Sequence, residues 1–380
     1  MFYAAAMSYA VWSGFNEPYQ NWDMLGYVGS VVAWHDKGDK AIYEHTMKTV
    51  KENVPQAAYD DYAANTLSAT ADVFVEQLPF YQSKPLYNAL MWTVHLGNIP
   101  LPVASWTVSA TAFAILSVLL FCWSPRYMAR EVWLLLVVAL TYGWQWAMNS
   151  LACLSTPDCL ATMLIACAFY SWFLRHSFGY FCFFSWLAVL ARPDTLILCS
   201  AMAAYCAFWA PQKETMKLAS VIKLILFYYV TYLAISRYSH SYGLERWFIY
   251  MFIDKTPHIA QAHDHLTLAR YMTVLVPSAQ LFLGLGRTIC MLAFSLVACI
   301  TYVLRPAEGN RLWLQMMFVI WGSLTAHFLL FPAWGDDRFY FCYYLPILFA
   351  GGECIFGYFN ALWNMLTQHR KKLADFSEWA

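Results

Sequence analysis

Residues 103–123 read VASWTVSATAFAILSVLLFCW, twenty-one positions without one charged side chain. As a helix that stretch rises about 30 Å, which is the thickness of the hydrocarbon core of a bilayer. The rest of the chain has the same character. Of its 380 residues 61% are hydrophobic, 19% aromatic and only 12% charged, and the mean hydropathy is +0.45. Soluble domains carry about 25% charged residues. A deficit this deep means that lipid is the main solvent. The predicted fold class is therefore all-α, a polytopic integral membrane protein. Formal net charge is zero, so bulk charge gives no footprint for a nucleic-acid partner, and what matters is the side of the membrane on which each charge lies.

Ten apolar stretches read as spans: 1–15, 103–123, 132–150, 159–174, 177–191, 195–210, 219–236, 286–304, 312–332 and 340–365. No basic segment precedes the first, so it does not read as a cleaved signal peptide. The loops SPRYMAR, RHS, PQKETMK, RPAEGNR and QHRKK, with Lys223, put eleven basic and five acidic residues on one side. The other side holds twelve basic and seventeen acidic residues, with Glu353 left inside the last span. The basic side is predicted to be cytoplasmic, with both termini inside. Two long segments, 16–102 and 237–285, then lie outside a single membrane domain covering 1–380. In DKAIYEHTMKTVKENV, Ile42, Met47 and Val50 share one face, which predicts a helix lying on the membrane surface. NTLSATADVFVEQL reads the same way, and ARYMTVLVPSAQLFLGLG is apolar enough to dip into the interface. No phosphate-binding P-loop, dinucleotide fingerprint or internal repeat is visible, so no nucleotide cofactor is expected.

Isolated charges next to helix ends collect on the outer side. They are Glu17 and Asp23 after the first span, Lys84 in YQSKPLY, Asp158 in STPDCL, Arg192 and Asp194 in ARPDTL, and Asp336, Asp337 and Arg338 in GDDRFYFCYYLPI. Carboxylates can abstract a proton or hold a divalent cation, and Lys and Arg can neutralise a phosphate. Each also has a plain structural alternative. Asp23 and Asp158 are suited to cap helices, and the basic side chains can snorkel to the interface.

NEPYQNWDMLGYVGSVVAW (16–34) resembles the opening of the GT-C glycosyltransferases, polytopic enzymes that transfer a sugar from a polyprenyl-phosphate carrier on the outer or lumenal side. YQSKPLYNALMW (81–92) is similar to the segment closing their first external loop, and MNSLACLSTPDCLATML (148–164) to their second external loop. LARPDTL (190–196) and DDRFYFCYYLPI (336–347) resemble later outer-face motifs, the last in the branch that contains protein O-mannosyltransferases and the lipid A aminoarabinose transferase. Asp23 departs from the family pattern in not standing in an Asp-Glu pair. The resemblance implies inverting transfer from a polyprenyl-phosphate-linked sugar to a lipid-linked glycan, cell-envelope polymer or protein acceptor. It makes Asp23 the base and Asp158 a second catalytic carboxylate, either of them a ligand for Mg²⁺ or Mn²⁺. Lys84, Arg192 and Arg338 become ligands of the donor phosphate, and Glu17, Asp194, Asp336 and Asp337 supporting groups. Tyr340, Tyr343 and Tyr344 would line the path of the lipid tail or the sugar.

Two other classes compete: a transporter or flippase of a lipid-linked substrate, and a non-catalytic membrane subunit with the same fold. The first predicts charges near mid-membrane, for which Glu353 and His327 are the candidates, and two similar halves. HIAQAHDH groups His258, His263, Asp264 and His265 but lacks an H-x-x-x-H pair for metal. Cys153 and Cys159 share one short loop and are close enough in sequence to pair, whereas most of the other cysteines sit in apolar runs as small hydrophobes. A compact chain with no eukaryotic retention signal points to a bacterial inner membrane, with the active site on its extracytoplasmic side.

Overall fold

Where no water can satisfy the backbone, a helix does so within its own segment. A computed structural model follows that rule. It describes residues 1–19, 21–65, 68–123, 125–143, 149–208, 217–254, 258–259, 265–304, 308–333 and 337–377, without the side chains of 308–310, 337 and 369–377. Among the described residues there are helices and no strand, apart from one isolated parallel bridge between Tyr19 and Leu154.

In chain order the helices are α1 Phe2–Asn16, α2 Asp23–Val32, α3 Asp39–Asn53, α4 Gln56–Ala64, α5 Ala71–Gln82 and α6 Pro85–His95. Next come α7 Leu101–Cys122, α8 Arg130–Tyr142, α9 Ser150–Cys153 and α10 Asp158–Phe169, which continues as a π-helical turn, Tyr170–Leu174. After α11 Phe178–Ala191, a 3-10 turn Pro193–Thr195 leads into α12 Leu196–Phe208, then α13 Leu218–Tyr238, α14 Leu244–Phe248, α15 Leu268–Gly284 and α16 Gly286–Leu304. The last two are α17 Glu308–Leu330 and α18 Phe341–Ser377, the latter preceded by a 3-10 turn Asp337–Tyr340.

Among the described residues five helices are long and apolar enough to cross a membrane: those at Leu101–Cys122, Leu218–Tyr238, Gly286–Leu304, Arg311–Leu330 and Arg338–Gln368. The protein is membrane-embedded. Helices also occupy the described parts of the remaining predicted stretches, but they are shorter. The spanning window of α18 is 89% buried and that of α13 only 22%. The first therefore runs through the middle of the bundle and the second along its rim, where it presents Ile222, Leu226, Val230 and Leu233 outward.

α7, α8, α10 and α18 meet on an aromatic core. Trp123 stacks on Trp133 at 5.4 Å with ring planes 7° apart and on Phe169 at 5.1 Å, and Phe349 stands edge-on to Trp123 at 5.0 Å. All four are buried without residual exposure. Lipid tails are as apolar as leucine, so such shape-specific packing holds helices together rather than a hydrophobic driving force. Gly351 and Gly352 let α18 approach its neighbours. A Cβ on Gly351 would lie 2.6 Å from the Phe294 ring, and one on Gly352 would lie 2.8 Å from Met128 Cε.

The external segment forms surface helices where expected. α3 buries Ile42, Met47 and Val50 and exposes Glu44, Lys48 and Lys51. α5 begins at Ala71 and buries Val73, Phe74 and Leu78. Cys153 and Cys159 are both free and buried, so the pairing that their spacing allows is not formed.

Glu353 is fully buried, and its carboxylate accepts hydrogen bonds from the backbone N–H groups of Arg126 (3.0 Å), Tyr127 (3.2 Å) and Met128 (3.5 Å). This answers the functional suspicion attached to an ionisable residue inside a span. Glu353 satisfies the backbone donors of the loop between α7 and α8. Replacing Glu353 by Ala should leave those donors without partners and cost about 1–3 kcal/mol. A thermal melt in detergent checks this, and an unchanged midpoint would assign the anchoring to packing alone.

Candidate functional site

The sequence brings acidic residues to helix starts, and the fold brings those starts together. Asp23 is the first residue of α2 and Asp158 the first of α10. Lys84 stands immediately before Pro85 of α6, and Arg192 immediately before the turn that opens α12. Arg338 lies in the turn ahead of α18. Five chain segments thus converge, and each contributes a charge next to a helix N-terminus, where the partial positive charge of the helix favours an anion.

The join between the first two segments is a backbone one. The Tyr19 N–H donates to Cys153 O at 2.9 Å, forming the isolated bridge. Asn21 then fits between them. Its Oδ1 accepts from the Ser155 N–H at 3.3 Å, and its Nδ2 donates to the Asp23 carboxylate at 3.2 Å. Ser109 of α7 donates to Thr156 O at 3.0 Å and fixes the other edge of the same loop.

Asp158 is the buried centre. One carboxylate oxygen is paired with Arg192 Nη1, and the other accepts from the Thr156 hydroxyl at 2.6 Å and lies 3.7 Å from Arg338 Nε. Arg192 is in turn paired through Nη2 with Asp194 and donates from Nε to its other oxygen at 3.1 Å. Asp194 also meets His327 Nε2 at 3.1 Å, and His327 Nδ1 lies 3.0 Å from the Tyr343 hydroxyl. Asp158, Arg192 and His327 are all at least nine-tenths buried. Taking such charges out of water is offset only by mutual pairing, and every one of them is paired.

The open side is formed by Asp23 and Arg338, joined at 2.8 Å, with Arg338 stacked against the Phe339 ring. Their side chains keep 20% and 15% exposure. Beneath Asp23 lies a floor of tyrosines. Tyr27 stands edge-on to Tyr81 at 5.0 Å and to Tyr87 at 4.9 Å, and the Tyr81 hydroxyl points to Asp23 at 3.4 Å. Burial, reinforced by the neighbouring Asp23 carboxylate, pushes the Tyr81 phenol well above its ordinary range, so it stays a donor. Tyr81 can lie there because α2 has glycine at position 26, where a Cβ would fall 2.2 Å from the ring.

Lys84 is buried beside this group. Its ammonium donates to Phe80 O and sits 3.3 Å from the Phe80 ring centroid. Among the described residues no carboxylate comes within 4.0 Å of it, unlike Arg192 and Arg338. Burial is the main cause that lowers it to about 7, only partly opposed by Asp194.

The structure redistributes the predicted roles. Asp158 has both oxygens engaged and holds the two arginines in place, so it does not offer itself as a second base. Arg192 spends its fork on Asp158 and Asp194 and is a positioning group rather than an open phosphate ligand. Glu17 is exposed, accepts from Ser13 at 3.3 Å and stays outside the cluster. Tyr340, Tyr343 and Tyr344 are buried in the core with no exposed surface, so they do not line an open path. Tyr343 orients His327 instead, and the Tyr340 hydroxyl donates to Phe331 O at 3.2 Å. Asp336 and the side chain of Asp337 lie outside the described residues.

His327 joins the cluster from the last turn of α17. Its signal in the sequence was the short distance to GDDR, read across a turn. Asn21, Tyr81 and Thr156 were also missed, because neutral polar residues near helix ends are too common to single out. His258 pairs with Glu76 at 3.1 Å and His265 lies 3.9 Å from Glu245, while His263 and Asp264 lie outside the described residues.

The Arg338 guanidinium lies between Asp23 and Asp158, the carboxylates suggested to hold a divalent cation. Among the described residues no group of three or more His, Cys, Asp or Glu side chains is arranged to hold a metal. No model of a protein family, no curated protein and no solved structure matches the chain.

Removing Arg192 strands two carboxylates. Arg192→Gln should destabilise the protein by about 3–5 kcal/mol, whereas Asp23→Asn, at the partly exposed rim, should cost about 1 kcal/mol or less. Denaturation of the two variants in the same detergent checks the contrast, and equal losses would contradict this division of roles.

Proposed function

We propose that the protein is a membrane glycosyltransferase of the GT-C type, passing a sugar from a polyprenyl-phosphate-linked donor to an acceptor on the extracytoplasmic side. The observation that carries the reading is the convergence of Asp23, Lys84, Asp158, Arg192, Asp194 and Arg338 from distant segments into one group at the helix starts. In the ten-span topology with the basic loops cytoplasmic, all these residues lie at the outer face. A transporter is less well supported, since Glu353 is held by backbone donors and His327 by Asp194.

Inverting transfer needs a base for the acceptor hydroxyl and positive charge for the departing phosphate. Asp23 and Arg338 neutralise each other in the resting arrangement. When a donor phosphate arrives, the Arg338 fork turns to it, since phosphate takes two parallel hydrogen bonds as a carboxylate does. That exchange frees Asp23. The Asp23 carboxylate then takes the proton of the acceptor hydroxyl, whose oxygen forms a bond to the anomeric carbon. The bond from that carbon to the phosphate oxygen breaks, and the electron pair leaves with the polyprenyl phosphate. Arg338 and protonated Lys84 hold the charge that develops there. Asp158, fixed by Thr156 and Arg192, guides Arg338 between the two states.

The test is lipid retention by purified protein in nanodiscs, read by native mass spectrometry. Wild type should retain polyprenyl phosphate in preference to bulk phospholipid, Arg338→Ala should lose it and Asp23→Asn should keep it. A wild type with no preference would remove the donor from the account.

The lysine adds a pH dependence. An unfolded lysine keeps its proton to about pH 10.4, while Lys84 in the fold releases it near 7. Burying the charged form costs stability below about pH 7, and this cost is relieved as pH rises from there towards 10. Ligand binding runs the opposite way, because a bound phosphate requires the charged form. Above pH 7 the dissociation constant for the lipid phosphate should rise, by up to about tenfold per pH unit. Lys84→Arg, which keeps its charge, should remove that slope. Parallel pH profiles of the two proteins would contradict the assignment.

A further inference from the structure

At the other end of α10 the molecule has a second feature that the glycosyl-transfer reading does not use. A groove of about 550 Å³ runs between α7, the π-helical end of α10 and α11, lined by Leu119, Cys167, Tyr170, Ser171, Arg175 and Tyr180 among others. That volume falls within the range of about 300–1,000 Å³ found for small-molecule sites. Asp158 opens α10 and Arg175 lies just beyond the π turn, seventeen residues later. At about 1.5 Å per residue the two are about 25 Å apart. The groove therefore belongs to the opposite membrane face from the charged cluster.

Its chemistry is divided along its length. Leu119, Cys167 and Phe184 supply apolar wall, and the polar side chains of Ser171, Arg175 and Ser177 gather where α10 ends and α11 begins. Arg175 is exposed and is steadied by donating from Nε to the Tyr170 hydroxyl at 2.7 Å, with its guanidinium 5.3 Å from that ring centroid. Among the described residues its two terminal nitrogens have no hydrogen-bond partner and no carboxylate within 4.0 Å. The π-helical turn at Tyr170–Leu174 widens the backbone beneath it, and such turns are frequent at functional sites. A guanidinium fork held at the polar end of an apolar groove is complementary to an anion joined to a hydrocarbon chain. Basic pockets between membrane helices recognise anionic lipid headgroups in this way.

We propose that this groove holds one anionic phospholipid, with an acyl chain along Leu119, Cys167 and Phe184 and its phosphate on Arg175. The leaflet that supplies it follows from the topology proposed above, and the preference itself does not depend on glycosyl transfer.

The experiment uses full-length protein in nanodiscs of mixed phosphatidylglycerol and phosphatidylcholine, followed by a detergent wash and native mass spectrometry of retained lipid. Wild type should retain phosphatidylglycerol at least fivefold over phosphatidylcholine. Arg175→Ala should abolish that preference with an unchanged melting temperature, and Arg175→Lys should keep part of it. Ser177→Trp, which fills the groove without altering charge, should reduce retention of both lipids. Lys223→Ala, removing another exposed basic residue predicted on the same face, should behave as wild type. Equal retention of the two lipids by wild type overturns the proposal. So does full preference in Arg175→Ala, or a loss in Lys223→Ala equal to that in Arg175→Ala, which would reduce the effect to general surface charge. Polyprenyl phosphate binding at the opposite face is measured separately, so failure of either leaves the other intact.

Discussion

Arg192 is held between the buried Asp158 and the partly exposed Asp194, and this end of the bundle depends on that triad. Asp158 and Arg192, both removed from water, are tolerable there because they offset each other, and Asp194 completes the pairing from the edge. That condition ties the start of α10 to the start of α12, and through Asp194 and His327 to the end of α17. Through Asp158 it also reaches Arg338 and the start of α18. An apolar bundle has little directional chemistry of its own, since its helices attract each other through packing alone. The triad supplies the direction. It fixes which helix ends meet and at what height.

Above the triad the arrangement is less committed. Asp23 and Arg338 are partly exposed and paired with each other, and the Lys84 ammonium meets a carbonyl and an aromatic ring, with no carboxylate within 4.0 Å among the described residues. A structural group would be expected to have every charge answered by another. Here Asp158 and Arg192 answer each other, and beside them lie a pair that can exchange partners and a lysine with no carboxylate within 4.0 Å among the described residues. The proposed phosphate site calls for such an arrangement, and the helix N-termini beside it favour an anion.

Much of this was legible in the sequence, for identifiable reasons. Charges are so rare in this chain that each one near a helix end stood out, and Asp23, Lys84, Asp158, Arg192, Asp194 and Arg338 all fall in the cluster. Helix periods were equally plain, as in the buried face of α3. What sequence could not give was the division of labour. Asp158 and Asp23 look alike as aspartates at helix starts, and only burial and partners separate the one that holds arginines from the one at the open rim. The tyrosines of FYFCYY carry no mark of which way they face, and α18 turns them into the core. Glu353 looked like a functional charge because the loop donors it satisfies are more than 220 positions away. His327 stands near the end of α17, and the packing of that helix beside α12 brings it to Asp194.

The most direct measurement of the central claim is catalytic. Purified protein in nanodiscs would be given a pool of polyprenyl-phosphate-linked sugars with membrane extract as acceptor source, and free polyprenyl phosphate would be followed with time. The account predicts release by wild type, and release reduced by at least about a hundredfold in Asp23→Asn, as expected for loss of a general base. Release by wild type at the rate of an empty nanodisc, or by Asp23→Asn at the rate of wild type, would contradict it.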